Sequence, residues 1–423
     1  MKVFKFGGAS VKDANGVKNI CEVLKLFPNE QLIIVVSAMG KTTNALERLV
    51  NAFCNKTEDV NSILDEIRIY HDEIMNQLFV DHANEIYKKV NNFFVEIDWL
   101  LEEEPRSYDF VYDQLVSFGE LISSSIVSAY LNQESNANTW VDIRDCFLTD
   151  NNYREGKIDW EKSSIKSKEK IIFGKKNFLY ITQGFIGSTT ENFTTTLGRE
   201  GSDYSAAILA HIFDAESLTI WKDVPGVLNA DPKYFKEGQK LEQLSYLDAI
   251  ELAYYGASVI HPKTIKPLEN KGIPLYVKSF LNPQAKGTVI GKDLETKPLV
   301  PSFIFKNNQV LLSISSKDFS FIAEENLSAI FGVCATNNVK INLMQNSAIS
   351  FSICADYEEL KIKKLIELLS VEYKIRYNTN LQLYTIRHYY PSTVDTLIQG
   401  REILLEQRSR LTAQIVMKSL ESQ

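Results

Sequence analysis

"KVFKFGGAS" occupies residues 2–10. A short, largely apolar run leads straight into two adjacent glycines and a serine. The run reads as a strand. The glycines after it let backbone N–H groups approach a bound group closely, and Lys5 just before them supplies a positive charge. The same rhythm recurs along the chain. "LIIVV" (32–36), "TWVDI" (139–143), "FLYIT" (178–182), "SLTIW" (217–221) and "IPLYVKS" (273–279) also read as strands. Several are continuously apolar, as strands buried on both faces are. Helical patterns lie between them at 13–26, 43–54, about 60–80, 82–104, 113–132, 203–212, 245–255 and 261–271. Such alternation predicts βαβ units: an α/β fold with a mostly parallel sheet sandwiched by helices.

Residues 55–105 break the rhythm with one long helical stretch that ends at Pro105. A second change comes near 282–301, where "NPQAKGTVIGKDLETKPLVP" carries prolines and glycines without helical period. Beyond it "VLLSISS", "NLSAIFGVCATNN", "KINLMQN", "ISFSICAD" and "YEELKIKKLIELLS" read as strand, helix, strand, strand and helix. "YKIRYNT", "LQLYTIRH", a helical "STVDTLIQGREILL" and "LTAQIVMKSL" read as a shorter copy of that α+β unit. The organisation expected is a first domain over 1–295, a second over 296–372 and a third, short one over 373–423.

A chain of 423 residues suits two or three domains. Its 44% hydrophobic and 24% charged residues are those of a soluble globular protein. The net charge of −8 argues against nucleic acid as the main partner. Five scattered cysteines without a CxxC pair read as free thiols in a reducing cytosol, and the scattered histidines suggest no protein-held metal. The longest apolar run, "LIIVVSAM", falls far short of the ~18 residues that span a bilayer. "MKVFKFGGAS" has no signal core, so the expected location is the cytoplasm, with no membrane partner.

Chemistry gathers at the strand ends. "GKTTN" (40–44) is not a P-loop, because Val35 stands where Walker A needs glycine. "SAMGKTTN" nevertheless follows the second strand, so it shares a sheet edge with "KFGGAS", where open α/β sheets bind ligands. In "LVSFGELISSSIVSAYL" (115–131), Glu120 is a lone acid on an apolar helix, which is costly unless paired. It is read equally as a salt-bridge partner of a distant cation or as a substrate group. "GFIGSTTENFTTTLGREGSD" (184–203) ends in an arginine and a helix N-terminus suited to an anion. "WKDVPGVLNADPK" (221–233) rings a Pro-Gly turn with Asp223, Asn229, Asp231 and Lys233.

The set "KFGG.S", "VSFGE", "LGR.GSDYSA", "DVPGV...DPK" and "GASVIHPKT" resembles the aspartate kinases of the amino-acid-kinase superfamily. The resemblance covers nearly the whole chain, including ACT-type units at the C-terminus. It implies transfer of the γ-phosphate of ATP, with Mg²⁺ held mainly by phosphates and water, to the β-carboxylate of L-aspartate. That is the first step of lysine, threonine, methionine and isoleucine biosynthesis. It implies catalytic roles for Lys5 and Asp203, and aspartate binding by Thr43, Glu120, Arg199 and Ser202. Nucleotide binding falls to Lys5, Gly7, Gly8, Ser10, Lys222, Asp223, Asn229, Asp231, Lys233 and Ser258. It also implies a homodimer through the ACT units and a lysine or threonine effector there.

The sequence departs from the family at several points. Ala9 replaces threonine, Glu200 glycine, Ser258 lysine, and Leu228 a tyrosine, while Lys222 adds a cation where the family has threonine. Glu200 would repel both substrates if it faced inward, so its carboxylate is expected to turn outward or to pair with a lysine. "IAEEN" (322–326) and Asn346-Ser347-Ala348 do not keep the effector-site pattern. Two other readings therefore stand beside feedback control: an ACT module that only dimerises, and a catalytically weak amino-acid sensor.

Overall fold

The computed structural model describes all residues except 175–177, 236–237, 258–259, 319 and 420–423. Two compact units form. The first gathers Met1–Val227, Lys240–Ile250 and Val259–Lys297, and the second gathers Leu228–Gln239, Glu251–Ser258 and Pro298–Gln423.

The first unit is built on an eight-stranded sheet. Its strands are β1 (Lys2–Phe6), β2 (Leu32–Val36), β3 (Thr139–Val141), β4 (Leu179–Gln183), β7 (Ser217–Lys222), β8 (Gln243–Ser245), β9 (Leu275–Ser279) and β10 (Thr288–Gly291). A small hairpin, β5 (Ile186–Ser188) with β6 (Thr194–Thr196), stands apart. The order is β3-β4-β2-β1-β7-β9-β10-β8, parallel except where β10 meets β9. β2 and β4 are buried at every position, which explains the unbroken apolar sequence of β2 and the apolar start of β4. The helices are α1 (Ala14–Leu24), α2 (Thr42–Asn55), α3 (Val60–Leu78), α4 (Glu85–Glu102), α5 (Tyr108–Val116), α6 (Phe118–Gln133), α7 (Trp160–Lys170), α8 (Gly201–Ile212), α9 (Tyr246–Tyr255) and α10 (Pro262–Lys271).

The expected helix over 113–132 is two helices. Ser117 separates them, and its hydroxyl donates to the Gln114 carbonyl. The break lets α6 press on the loop after β2. A Cβ on Gly119 would lie 2.9 Å from Ala38 Cβ, so only glycine fits there.

The second unit carries a six-stranded antiparallel sheet, ordered β12-β13-β11-β14-β16-β15. Its strands are β11 (Ser302–Ser316), β12 (Ile341–Asn346), β13 (Ser350–Asp356), β14 (Tyr373–Arg387), β15 (Ile403–Arg408) and β16 (Thr412–Lys418). Helices α11 (Glu324–Thr336), α12 (Glu359–Leu369) and α13 (Pro391–Ile398) complete it. Ile330, Leu365, Ile353 and Val310 centre one core, and Val394, Ile386 and Ile415 another. "YKIRYNT" and "LQLYTIRH", read as separate segments, are one strand that pairs with β11 along most of its length. The helix expected over 392–405 ends at Ile398. Gly400 turns the chain at φ +72°, and the alternating "ILLEQR" continues as β15.

All five cysteines are free, and four of them are buried. Among the described residues no helix is long and apolar enough to cross a membrane.

Candidate functional site

The register of two neighbouring strands, β1 and β7, brings the two lysines together. Lys5 on β1 pairs with Ile220 on β7, and Phe6 pairs with Trp221. Side chains alternate along a strand, so Lys5, Ile220 and Lys222 share one face while Phe4, Phe6 and Trp221 share the other. The Phe6 and Trp221 rings stack, with centroids 6.1 Å apart. Helix α8 packs against β1 and β7. Asp203, in its first turn, meets both lysines: Oδ1 is 2.6 Å from Lys5 Nζ and Oδ2 is 3.6 Å from Lys222 Nζ. Burial pushes the Asp203 carboxyl up, but the two ammonium groups outweigh it and hold it below the usual carboxylate range.

Two loops at the strand ends close around this cluster. After β1, Gly7 places its Cα beside Lys5, so that a Cβ there would lie 3.5 Å from Lys5 Nζ. Ser10 donates its hydroxyl to the Trp221 carbonyl at 3.3 Å. After β2, the Gly40 N–H donates to the Gly8 carbonyl at 3.1 Å. A Cβ on Gly8 would come 2.7 Å from the Ala38 carbonyl oxygen, so the two loops can meet only because Gly8 has none. Thr43 lies half-buried in the first turn of α2.

Glu120 enters from the first turn of α6 with 3% of its surface exposed. Oε1 accepts the Ala38 N–H at 3.2 Å, whereas Oε2 is buried with no hydrogen-bond partner. Burial pushes this carboxyl up to about 8, against the opposing pull of the Ala38 N–H and of Lys5. Such a group is primed to meet an ammonium.

At the entrance to α8, Arg199 is exposed and makes no ion pair among the described residues. Ser202 is buried, its Cα so near Gly184 that a Cβ on that glycine would clash at 2.6 Å. Glu200 contradicts its expectation: it neither turns out to solvent nor pairs with a lysine. It caps α8 at φ +53° without a side-chain capping bond, and its Oε2 is buried and unpartnered. Burial and Asp203 raise its carboxyl, while Lys222, Arg199 and Lys5 pull it down. Gly198 and Glu200 both take left-handed backbone conformations where the helix starts.

Other residues named from the sequence are placed differently. Asp223 is exposed at the end of β7. Asn229, Asp231 and Lys233 belong to the second unit. There the Asn229 side chain accepts the Gln239 N–H at 2.6 Å and donates to the Pro301 carbonyl at 2.8 Å, which anchors its loop. Asp231 accepts the Lys233 N–H in a local turn. Ser258 lies outside the described residues.

Asp113 was not anticipated. It is fully buried on α5 and accepts the Arg154 N–H, the Thr196 N–H and the Thr196 hydroxyl, at 2.9, 2.9 and 2.7 Å. Burial pushes its carboxyl up to about 6 against those donors. It ties β6, which leads into Arg199, and the loop at Arg154 to α5. The signal was present in the sequence: Asp113 stands among Val111, Tyr112, Leu115 and Val116, the same lone-acid pattern as Glu120.

Residues 1–279 match the Amino acid kinase family, and the chain belongs to that family. Lysine-sensitive aspartokinase 3 of Escherichia coli (strain K12) is 31% identical over 359 residues, spanning 84% of this chain and 78% of that protein. Aspartokinase 1, chloroplastic, of Arabidopsis thaliana is 30% identical over 382 residues, 86% of this chain and 65% of its own length. The crystal structure of E. coli aspartokinase III in complex with aspartate and ADP (R-state) matches with a TM-score of 0.85 at 26% identity, covering 99% of this chain and 96% of that one. The chain is thus a member of the aspartokinase branch of its family.

Proposed function

We propose that the site transfers the γ-phosphoryl group of MgATP to the β-carboxylate of L-aspartate, giving ADP and 4-phospho-L-aspartate. The carrying observation is the buried Lys5–Asp203–Lys222 cluster at the strand ends, with the unpartnered carboxylate oxygen of Glu120 nearby. A carboxylate oxygen of aspartate attacks the γ-phosphorus as the bond to the ADP oxygen breaks. The nucleophile is already ionised, so no general base is required, and catalysis rests on positioning and charge stabilisation. Lys5 neutralises charge on the transferring group, and Asp203 fixes Lys5 and Lys222 in place. Gly7, Gly8 and Ser10 cradle phosphate through backbone groups. Glu120 takes the substrate ammonium and Arg199 grips a carboxylate, with Thr43 and Ser202 completing the aspartate pocket. Among the described residues no group of three or more His, Cys, Asp or Glu side chains could cage a metal. Mg²⁺ would enter with the nucleotide, held by its phosphates and water, and would offset phosphate charge.

Hydroxylamine trapping tests the reading. ATP, Mg²⁺ and L-aspartate should yield aspartyl hydroxamate, and a folded protein that forms none is the amino-acid sensor instead. The same proposal makes the chain a cytoplasmic homodimer, joined through its C-terminal unit. One of the matched relatives is called lysine-sensitive, and E. coli aspartokinase III has been crystallised with lysine and aspartate in a T-state. These support lysine as the effector of the second unit here, and threonine is the alternative that the family resemblance implies. Titrating the assay with each amino acid, alone and together, separates feedback control from a module that only dimerises, which predicts a flat response.

A further inference from the structure

The long helical stretch after α2 sends one side chain back to the site loops. Tyr70 lies on α3, which packs against α1 and α2. Its hydroxyl donates to the carbonyl of Lys12, the residue that closes the Gly8–Val11 turn. The same oxygen stands over Gly40. A Cβ on Gly40 would come 2.5 Å from Tyr70 Oη but 3.4 Å from Tyr70 Cζ. Gly40 is also the residue whose N–H bonds the Gly8 carbonyl, and Ala38, two residues earlier, is the one that bonds Glu120. One phenol thus touches both loops where they are joined to each other. The ring is half-buried, and burial together with Asp13 raises the hydroxyl further above its ordinary value, so it remains a donor at working pH.

We propose that Tyr70 is a positioning residue for phosphoryl transfer: it fixes the turn after β1 against the loop after β2 at the separation the nucleotide phosphates need. The proposal rests on the reading that Gly7, Gly8 and Ser10 cradle those phosphates. Tyr70 does not touch substrate. It acts through the Lys12 carbonyl and the backbone of Gly40, and it gives the helical insertion a task in the reaction. A loop pair held less firmly must be ordered by the nucleotide itself, which lowers nucleotide affinity.

The test uses the full chain. Tyr70→Phe keeps the ring and removes only the hydroxyl. The ADP dissociation constant from calorimetry and the ATP KM should both rise about five-fold, the size of one lost neutral hydrogen bond, with the aspartate KM within about two-fold of wild type. The melting temperature reports folding separately. Gly40→Ala supplies a second measurement. The added methyl meets the hydroxyl, so its loss of ADP affinity should be smaller in the Tyr70→Phe background than in wild type. Unchanged ADP affinity in folded Tyr70→Phe, equal rises in both KM values, or additive losses in the double variant would overturn the proposal. A wild type that binds ADP yet forms no aspartyl hydroxamate refutes the aspartate reaction alone. The calorimetric comparison still decides the role of Tyr70.

Discussion

Asp203 holds two lysines at once: Lys5 Nζ at 2.6 Å from one oxygen and Lys222 Nζ at 3.6 Å from the other. Both members of the tighter pair are buried, and breaking such a pair leaves an uncompensated charge. Asp203→Asn should lower kcat by about 10²–10³-fold, comparable to losing a preorganised electrostatic contact in a transition state. Lys5→Met should do the same. Lys222→Met should cost only about ten-fold in kcat/KM, since its side chain is partly exposed and its contact longer. Steady-state kinetics on the three variants checks this, and near-wild-type turnover in Asp203→Asn would remove the cluster from the mechanism.

The proposed role of Glu120 makes aspartate binding a protonic event. With its carboxyl pushed up to about 8, it is mostly protonated at pH 7 in the free protein. The substrate ammonium favours the ionised form, so binding at pH 7 should release close to one proton. Calorimetry in two buffers of different ionisation heat measures the number. The aspartate KM should fall as pH rises from 6 to 8 and level above it, by up to about ten-fold per unit. Stability runs the other way. The folded value lies above the ordinary 4.5, so the folded state binds the extra proton, and the free protein loses stability as pH rises between those values. Glu120→Gln should abolish both the proton release and the slope of KM.

Glu200 combines two local penalties. Its backbone sits at φ +53°, and its buried Oε2 has no partner beside Asp203. Glu200→Gly should relieve the left-handed strain and stabilise the protein by about 1 kcal/mol. It should also lower the ATP KM, because one negative charge leaves the path of the phosphates. Thermal melting and nucleotide kinetics report the two effects separately. A rise in ATP KM would instead make Glu200 a contributor to nucleotide binding.

The sheet was legible because burial on both faces writes an unbroken apolar run, as in β2. Glu120 was legible because a lone acid on an apolar helix needs a reason. The family resemblance implied roles for Lys5 and Asp203 but not their contact, which depends on pairing Lys5 with Ile220, 215 positions away, and on a helix laid across that face. Helix α7 was missed because its buried positions are small serines, Ser163 and Ser167, so it shows no apolar stripe. The β5–β6 hairpin hid in a hydroxyl-rich segment that reads as loop. Its threonines are buried and bonded internally, Thr195 to Thr149 at 2.7 Å and Thr196 to Asp113.

Asp113 supports the site without entering it. Its two oxygens gather three donors, from Arg154 and Thr196, and so fix the loop at Arg154 and β6, which runs to Leu197 and Arg199. Asp113→Ala would strand those donors in a buried place, at about 1–3 kcal/mol for an unsatisfied group. Asp113→Asn can keep the two backbone N–H bonds on its oxygen and turn its amide toward the Thr196 hydroxyl, which then accepts. The alanine variant should therefore melt several degrees lower and show a raised aspartate KM, because Arg199 loses its support. The asparagine variant should stay close to wild type in both near pH 4, where the wild-type carboxyl is protonated. The wild-type carboxyl, pushed up to about 6 from 3.8, makes the difference between them pH-dependent. The folded state holds the extra proton, so wild type loses stability relative to asparagine as pH rises from about 4 to 6, and a melting series across that interval should show the gap open.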